Sequence, residues 1–368
     1  MTTALTDEAI AALKARIGQP RPSRQPWLEE ATKDAIRHHA DGIGDYNPLW
    51  RDEGYARGTR LGGIVAPPFL LYCFGHGGGG GGLPGAHGLY LGDQWEFLQP
   101  VRVGDRITHR SWLADVVEKR SRFAGRMVIG TSENEFTNQR GEVVARYRDS
   151  HARFDRETEA AGHRPKYADL KIGPYTKEQL DAIEAGYLAE ERRGASPRYW
   201  EDVGEGDDMQ PVVKGPLMVS DVIMWLRGMS GAFIRSHGER FEFFRRHPAA
   251  AIMDHELGVP DVPERVHWDS ALARRIGMPA AYDYARQRMC WMGHLITNWM
   301  GDDGSLRRLE TQVRQPNFIG DTTWCKGKVL RKYIEGDEHR VECDVWAENQ
   351  RGDKTLLGKA AIQLPTRS

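Results

Sequence analysis

Cysteine is scarce in this chain, and none of it is paired in sequence. The four cysteines, Cys73, Cys290, Cys325 and Cys343, are scattered through 368 residues without a CxxC. That spacing excludes a disulfide scaffold or a zinc ribbon and predicts a reduced, cytoplasmic protein. Neither HExxH nor any other convincing ligand spacing links His38, His39, His76 and His87, so no metal is expected. No apolar run reaches the roughly 18–20 residues that span a bilayer, so no membrane partner is expected. An excess of one charge is missing too: 51 basic residues face 52 acidic ones, for a formal net charge of −1. General nucleic-acid binding, which needs a basic face, is therefore not predicted. The glycine run Gly77–Gly82 lacks a following GK[ST] and reads as a flexible loop rather than a phosphate cradle.

What the chain does contain is itself, twice. NQRG at Asn138–Gly141 returns at Asn349–Gly352, and QPVRVGD (Gln99–Asp105) is echoed by QPNFIGD (Gln315–Asp321). WRDEGYAR (Trp50–Arg57) lines up with HWDSALAR (His267–Arg274), and TKDAIRHHADGIG (Thr32–Gly44) with VSDVIMWLRGMSG (Val219–Gly231). The offset rises from 187 at the last pair to 217 at the one before it, which places 217 − 187 = 30 extra residues in the second copy. They fall within a charged, aromatic insertion at about 232–265. The predicted domains are 1–155 and 197–368, with a linker and helix over 156–196 opened by the capping box Thr176 to Gln179. A short helix is also predicted at the N-terminus, capped by Thr6 and stopped at Gly18.

Each copy begins helical and turn-rich and ends in strands with partial apolar alternation, such as DRITHRSWLADVVEK and HRVECDVWAEN. Asp283–Met300 reads as a long buried helix, with Asp283 as its cap and Trp291, Leu295 and Trp299 at fourfold spacing. The architecture inferred is α+β: a helix wrapped by an antiparallel sheet, repeated.

GDYNPLWRDEGYARGTRLGGIVAPP (Gly44–Pro68) resembles the overhanging segment of MaoC-like hydratases and dehydratases, in their FAS1-like dehydratase branch. RYWEDVGEGD, HWDSALARRIGMPAAYDYAR and RQPNFIGDTTWCKGKV resemble the opening, middle and end of a second MaoC-like domain. The resemblance implies a double hot-dog fold acting on thioesters of coenzyme A or of acyl-carrier protein. It implies reversible addition of water to a 2-enoyl thioester, with no cofactor beyond the coenzyme A of the substrate. The family pattern is Asp-x-Asn-x-x-His, with a backbone N–H at the start of the central helix polarising the thioester carbonyl.

This sequence divides that pattern. Copy one keeps Asp45 and Asn47 but has Trp50 at the His position; copy two keeps His267, with Ala232 or Val262 near the Asp position. His267 is the expected base, with Asp283 the preferred acidic partner and Glu264 and Asp261 as alternatives. Asp45 and Asn47 read either as catalytic residues or as turn builders before Pro48. Trp50, Tyr282 and Tyr284 are candidate substrate-binding residues, with packing as the other reading. The function expected is an (R)-type enoyl thioester hydratase or 3-hydroxyacyl thioester dehydratase for a bulky or unusual acyl group, working as a homodimer or with a hot-dog partner subunit. The alternatives are a non-catalytic acyl-thioester-binding subunit and a related lyase that eliminates something other than water.

Overall fold

A computed structural model describes residues 5–21, 26–75, 83, 85–121, 125–155, 167, 170, 172–229, 234–254 and 256–367. The glycine run Gly77–Gly82 and residues 156–166, 168, 169 and 171 of the expected linker lie outside these residues. Eight helices are described: α1 (Asp7–Lys14), α2 (Lys33–Ile43), α3 (Glu53–Arg57), α4 (Lys177–Leu188), α5 (Val219–Gly228), α6 (His237–Arg246), α7 (Ser270–Arg275) and α8 (Ala285–Met300). The caps expected for two of them are formed. Thr6 accepts from the Ala9 amide, and Thr176 and Gln179 close a reciprocal capping box on α4.

The strands are β1 (Ala86–Phe97), β2 (Thr108–Ser121), β3 (Gly125–Thr137), β4 (Val143–Asp155), β5 (Asp208–Lys214), β6 (Ile252–Met253), β7 (Pro260–Asp261), β8 (Ser305–Val313), β9 (Thr323–Glu335), β10 (Glu338–Asn349) and β11 (Lys354–Gln363). Nine of them form one sheet in the order β2-β3-β4-β1-β8-β11-β10-β9-β5. Four come from copy one and five from copy two. The halves join where β1 pairs antiparallel with β8, with Trp95 opposite Leu309. β6 and β7 make a separate small hairpin next to α6, inside the insertion.

The repeated tetrapeptides do the same work twice. Asn138 Oδ1 accepts from the Arg140 amide, and Asn349 Oδ1 from the Arg351 amide, both at 2.9 Å. Each turn then closes through a left-handed glycine, Gly141 (φ 80°) and Gly352 (φ 79°), where a side chain would be strained. In each copy the Arg and Gln of the motif reach the buried aspartate of the other repeated motif. Arg140 and Gln139 donate to Asp105, and Arg351 and Gln350 to Asp321. A motif that hydrogen-bonds itself and its partner motif identically in both halves is the structural mark of duplication.

α8 lies in the core, with every residue from Gln287 to Met300 buried. Each large apolar side chain so placed contributes about 1.5–3 kcal/mol relative to exposure. The copy-one segment at the same repeat offset begins at Pro68, since 285 − 68 = 217, and is the buried 3₁₀ turn Pro68–Cys73. It packs directly on α8: a Cβ on Gly293 would sit 2.8 Å from the Phe69 ring. The corresponding helices α2 and α5 also cross in contact. A Cβ on Gly42 would meet the Met224 carbonyl at 2.8 Å, and one on Gly228 the His38 carbonyl at 2.8 Å. Among the described residues no helix is long and apolar enough to cross a membrane.

Candidate functional site

His267 ends a 3₁₀ turn, Pro263–His267, that leads into α7. Its Nδ1 lies 2.8 Å from the carbonyl oxygen of Tyr282, so Nδ1 carries the proton and Nε2 keeps the lone pair of the neutral ring. The imidazole stacks on Tyr284 with centroids 3.6 Å apart and meets the edge of Tyr282 at 4.9 Å. Burial lowers its pKa to about 4, against the opposing pull of the Tyr282 and Asp283 backbone. The ring is therefore an unprotonated base at neutral pH. Glu264 lies three residues earlier in the same 3₁₀ turn, whose three-residue period puts residues 264 and 267 on one side. Glu264 is near enough to Tyr284 to add to the rise in its phenol pKa, of which burial is the larger cause.

Tyr284 is the N-cap of α8, and no side chain caps the helix there. Asp283 was expected in that position, and the structure corrects the assignment. Its carboxylate turns away, Oδ2 lying 2.6 Å from Arg288 Nε and Oδ1 accepting from the Asn317 amide at 3.1 Å. Nor does Asp283 supply the acid that meets His267, because a buried carboxylate takes the charged partner within reach. Burial pushes its pKa up to about 6, and Arg288 holds it from rising further. Asp261 is likewise engaged elsewhere, accepting from Arg240. The uncapped start of α8 leaves backbone N–H groups and the positive end of the helix dipole beside His267.

The copy-one residues converge on a different place. Asp45 accepts from the Asn47 amide at 2.9 Å and from the Trp50 indole at 2.8 Å, while Asn47 Oδ1 caps the next turn by accepting from the Leu49 amide. Trp50 is only 4% exposed and belongs to the main hydrophobic core. It packs inside and holds Asp45 from the position where the family pattern has its base.

Asp45 also faces copy two. His294, on α8, has Nε2 3.6 Å from Asp45 and 3.0 Å from Glu190, just beyond α4. Its Nδ1 is 2.8 Å from Lys214 Nζ at the end of β5. An ammonium can only donate, so Nδ1 accepts and Nε2–H points to the carboxylates. Lys214 spends its other donors on the Ile43 and Gly44 carbonyls that end α2. Burial raises the Glu190 carboxyl, but His294, Lys214 and Asn298 outweigh it and bring the pKa down to about 2. Lys214 is held below its ordinary range by burial. Each of these charges lies within about 4 Å of another, and together they form one buried cluster. Sequence reasoning missed Glu190, Lys214 and His294. The available signal was His294 and Asn298 at i, i+4 in a helix expected to be buried, since buried polar groups require partners.

Among the described residues no group of three or more His, Cys, Asp or Glu side chains is placed to hold a metal ion. All four cysteines are buried and unpaired. Burial pushes the Cys290 thiol well above its usual range.

Comparison with known proteins places this geometry. The model of the FAS1-like dehydratase domain region matches residues 17–147. A UPF0336 protein of Parafrankia sp. (strain EAN1pec) is 35% identical over 144 residues, covering 35% of this chain and 85% of that protein. A probable enoyl-CoA hydratase alpha subunit of Thermomonospora curvata is 27% identical over 170 residues, covering 41% of this chain and 52% of that protein. In fold, a solved MaoC-like dehydratase aligns over 96% of this chain and 99% of its own, with a TM-score of 0.66 at 18% identity. The first half of the chain belongs to the FAS1-like dehydratase region family, and the chain as a whole has the double hot-dog fold of the solved MaoC-like dehydratases.

Proposed function

We propose that the protein is a hydro-lyase that hydrates 2-enoyl thioesters and dehydrates 3-hydroxyacyl thioesters, with its working site in copy two. The observation that carries this reading is the tethering of His267. Its Nδ1–H is bound to the Tyr282 carbonyl, and its ring lies on Tyr284 at the uncapped start of α8. A thioester carbonyl placed against the Ala285 N–H would be polarised by the helix end, drawing electrons from C3. His267 Nε2 takes a proton from water as its oxygen bonds to C3. Glu264 accepts a hydrogen bond from the other O–H of the water, which stays on the oxygen, and so orients the attack. The same imidazolium then gives its proton to C2, on the same face, and its low pKa favours that release. All atoms of the water end in the 3-hydroxyacyl thioester, and the enzyme returns to its starting state.

In this reading coenzyme A is part of the substrate, no other cofactor takes part, and the protein works in the cytoplasm as a homodimer. The test is to follow loss of enoyl thioester absorbance with a panel of enoyl-CoAs. His267→Ala is expected to lower kcat/KM by about 10²–10⁴-fold with its circular dichroism unchanged. Undiminished turnover in that variant would remove His267 from the chemistry.

A second reading has a specific motive: the Asp and His of the family pattern stand in different halves, and the T. curvata relative is named as an alpha subunit. Under it the chain binds acyl thioesters and supports a catalytic hot-dog partner. Activity that appears only after the partner is added would favour it.

A further inference from the structure

Arg286, the second residue of α8, is a cation inside the molecule whose donors are not used. Its side chain keeps 13% of its surface accessible, and its guanidinium makes no hydrogen bond among the described residues. Its Cζ lies 4.8 Å from the ring centre of Tyr72 and 5.2 Å from that of Tyr90, so its faces are held by π-systems. The nearest carboxylate oxygen, Asp149 Oδ2, is 3.8 Å away, beyond hydrogen-bond distance.

The acids around it are partly engaged. Asp149 Oδ1 accepts from Asn134 at 2.9 Å, while its Oδ2, which accepts no hydrogen bond among the described residues, lies 3.1 Å from His151 Nδ1 and forms the ion pair with Arg286. Asp93 receives the hydroxyls of Tyr72, Tyr90 (3.0 Å) and Thr311 (2.6 Å) and the Trp95 indole (2.8 Å). Among the described residues the guanidinium therefore has an ion-pair partner in Asp149 but no hydrogen-bonded acceptor, on a partly accessible side chain flanked by copy-one aromatic rings. Leaving such a group unbonded costs free energy that an incoming oxygen would recover.

Position gives this cation a meaning. Arg286 directly follows Ala285, whose N–H is the proposed partner of the thioester carbonyl, and it points toward the sheet of copy one. An acyl group running from that carbonyl into copy one would pass the guanidinium. We infer that Arg286 is a specificity residue that receives an oxygen acceptor on the acyl group, so that the substrate is an oxygen-bearing acyl thioester rather than a plain alkyl one. The inference rests on the proposed function for the placement of the thioester.

The shared chemistry is an acceptor oxygen beyond C3, from either a carboxylate or a ketone. Calorimetry on the full chain with three unreactive saturated thioesters separates these sources: pentanoyl-CoA, succinyl-CoA and 4-oxopentanoyl-CoA. At least one oxygen-bearing thioester is expected to bind about tenfold or more tightly than pentanoyl-CoA, the gain of a charge-assisted hydrogen bond. Arg286→Met should bring it down to the pentanoyl-CoA affinity. Arg286→Lys should keep part of the preference if the oxygen is a carboxylate and lose it if the oxygen is a ketone. Equal affinity for all three in the unaltered protein, or a preference that survives Arg286→Met, overturns the inference. Because binding is measured without turnover, the hydratase reading fails separately. Its failure would show as selective binding with no hydration of the matching enoyl-CoAs.

Discussion

At the scale of single residues, His267 is governed by its surroundings more than by its identity. Withdrawal from water disfavours the imidazolium and brings the pKa from 6.5 to about 4. The sign follows directly. With neutral His267 as the proposed base, activity is kept above the folded pKa and lost as pH falls through it. The acid limb of kcat/KM should therefore lie near pH 4, with a flat profile through 6.5; a limb centred at 6.5 would mean that the working base is not this buried ring. Stability has the same direction for this group. Its contribution is complete above about 6.5, the unfolded value, and is lost as pH falls through about 4. Asp283 runs the other way: raised to about 6 by burial, it contributes most below about 3.8 and loses that contribution as pH rises through 6.

Elements decide which residues can meet. α8 is the central rod: its start presents the uncapped amides and Tyr284 to His267, and its middle carries His294 to Asp45. The α2–α5 crossing holds the helical parts of the two copies together through glycines. Gly228→Val would drive a side chain into the His38 carbonyl and the His39 backbone. A helix pair cannot yield at backbone contact as it could at a flexible side chain, so the variant should lose about 1–3 kcal/mol in chemical denaturation. Unchanged stability would mean that the crossing can open at little cost. At this scale much was legible. The doubled NQRG and QPxxxGD motifs, the cap at Thr176 and the long buried helix are local patterns, and they formed as local physics requires. The cap of α8 was not legible, because Asp283 had a choice between the helix end and Arg288, and only the path of the loop past Asn317 settles it.

For the whole molecule, the question is what makes two hot-dog halves one body. The sheet is continuous across β1 and β8, and the charge cluster beneath it draws on four separate segments. Lys214 is its hub, joining the end of α2 in copy one to His294 in copy two. Lys214→Met would leave His294 Nδ1 and the Ile43 and Gly44 carbonyls without their donor. Leaving buried acceptors unsatisfied costs about 1–3 kcal/mol each, which should appear as a lower urea midpoint. A variant as stable as the parent would show that the cluster contributes nothing to holding the halves together.

The sequence by itself determined the duplication, the α+β hot-dog class, the family and the survival of one histidine where a base belongs. Each is written in short-range pattern: repeated motifs, strand alternation, helix periodicity and loop spacing. Tertiary structure alone decided the company each charge keeps. Asp45 ended beside His294, 249 residues away, and Glu190 and Lys214 joined them from other segments. Asp283 went to Arg288, and Arg286 came to lie among the rings of the other copy, 3.8 Å from Asp149. The physical reason is that a buried charge is satisfied by whatever the packed fold brings within about 3 Å, and that distance is set by how whole elements stack.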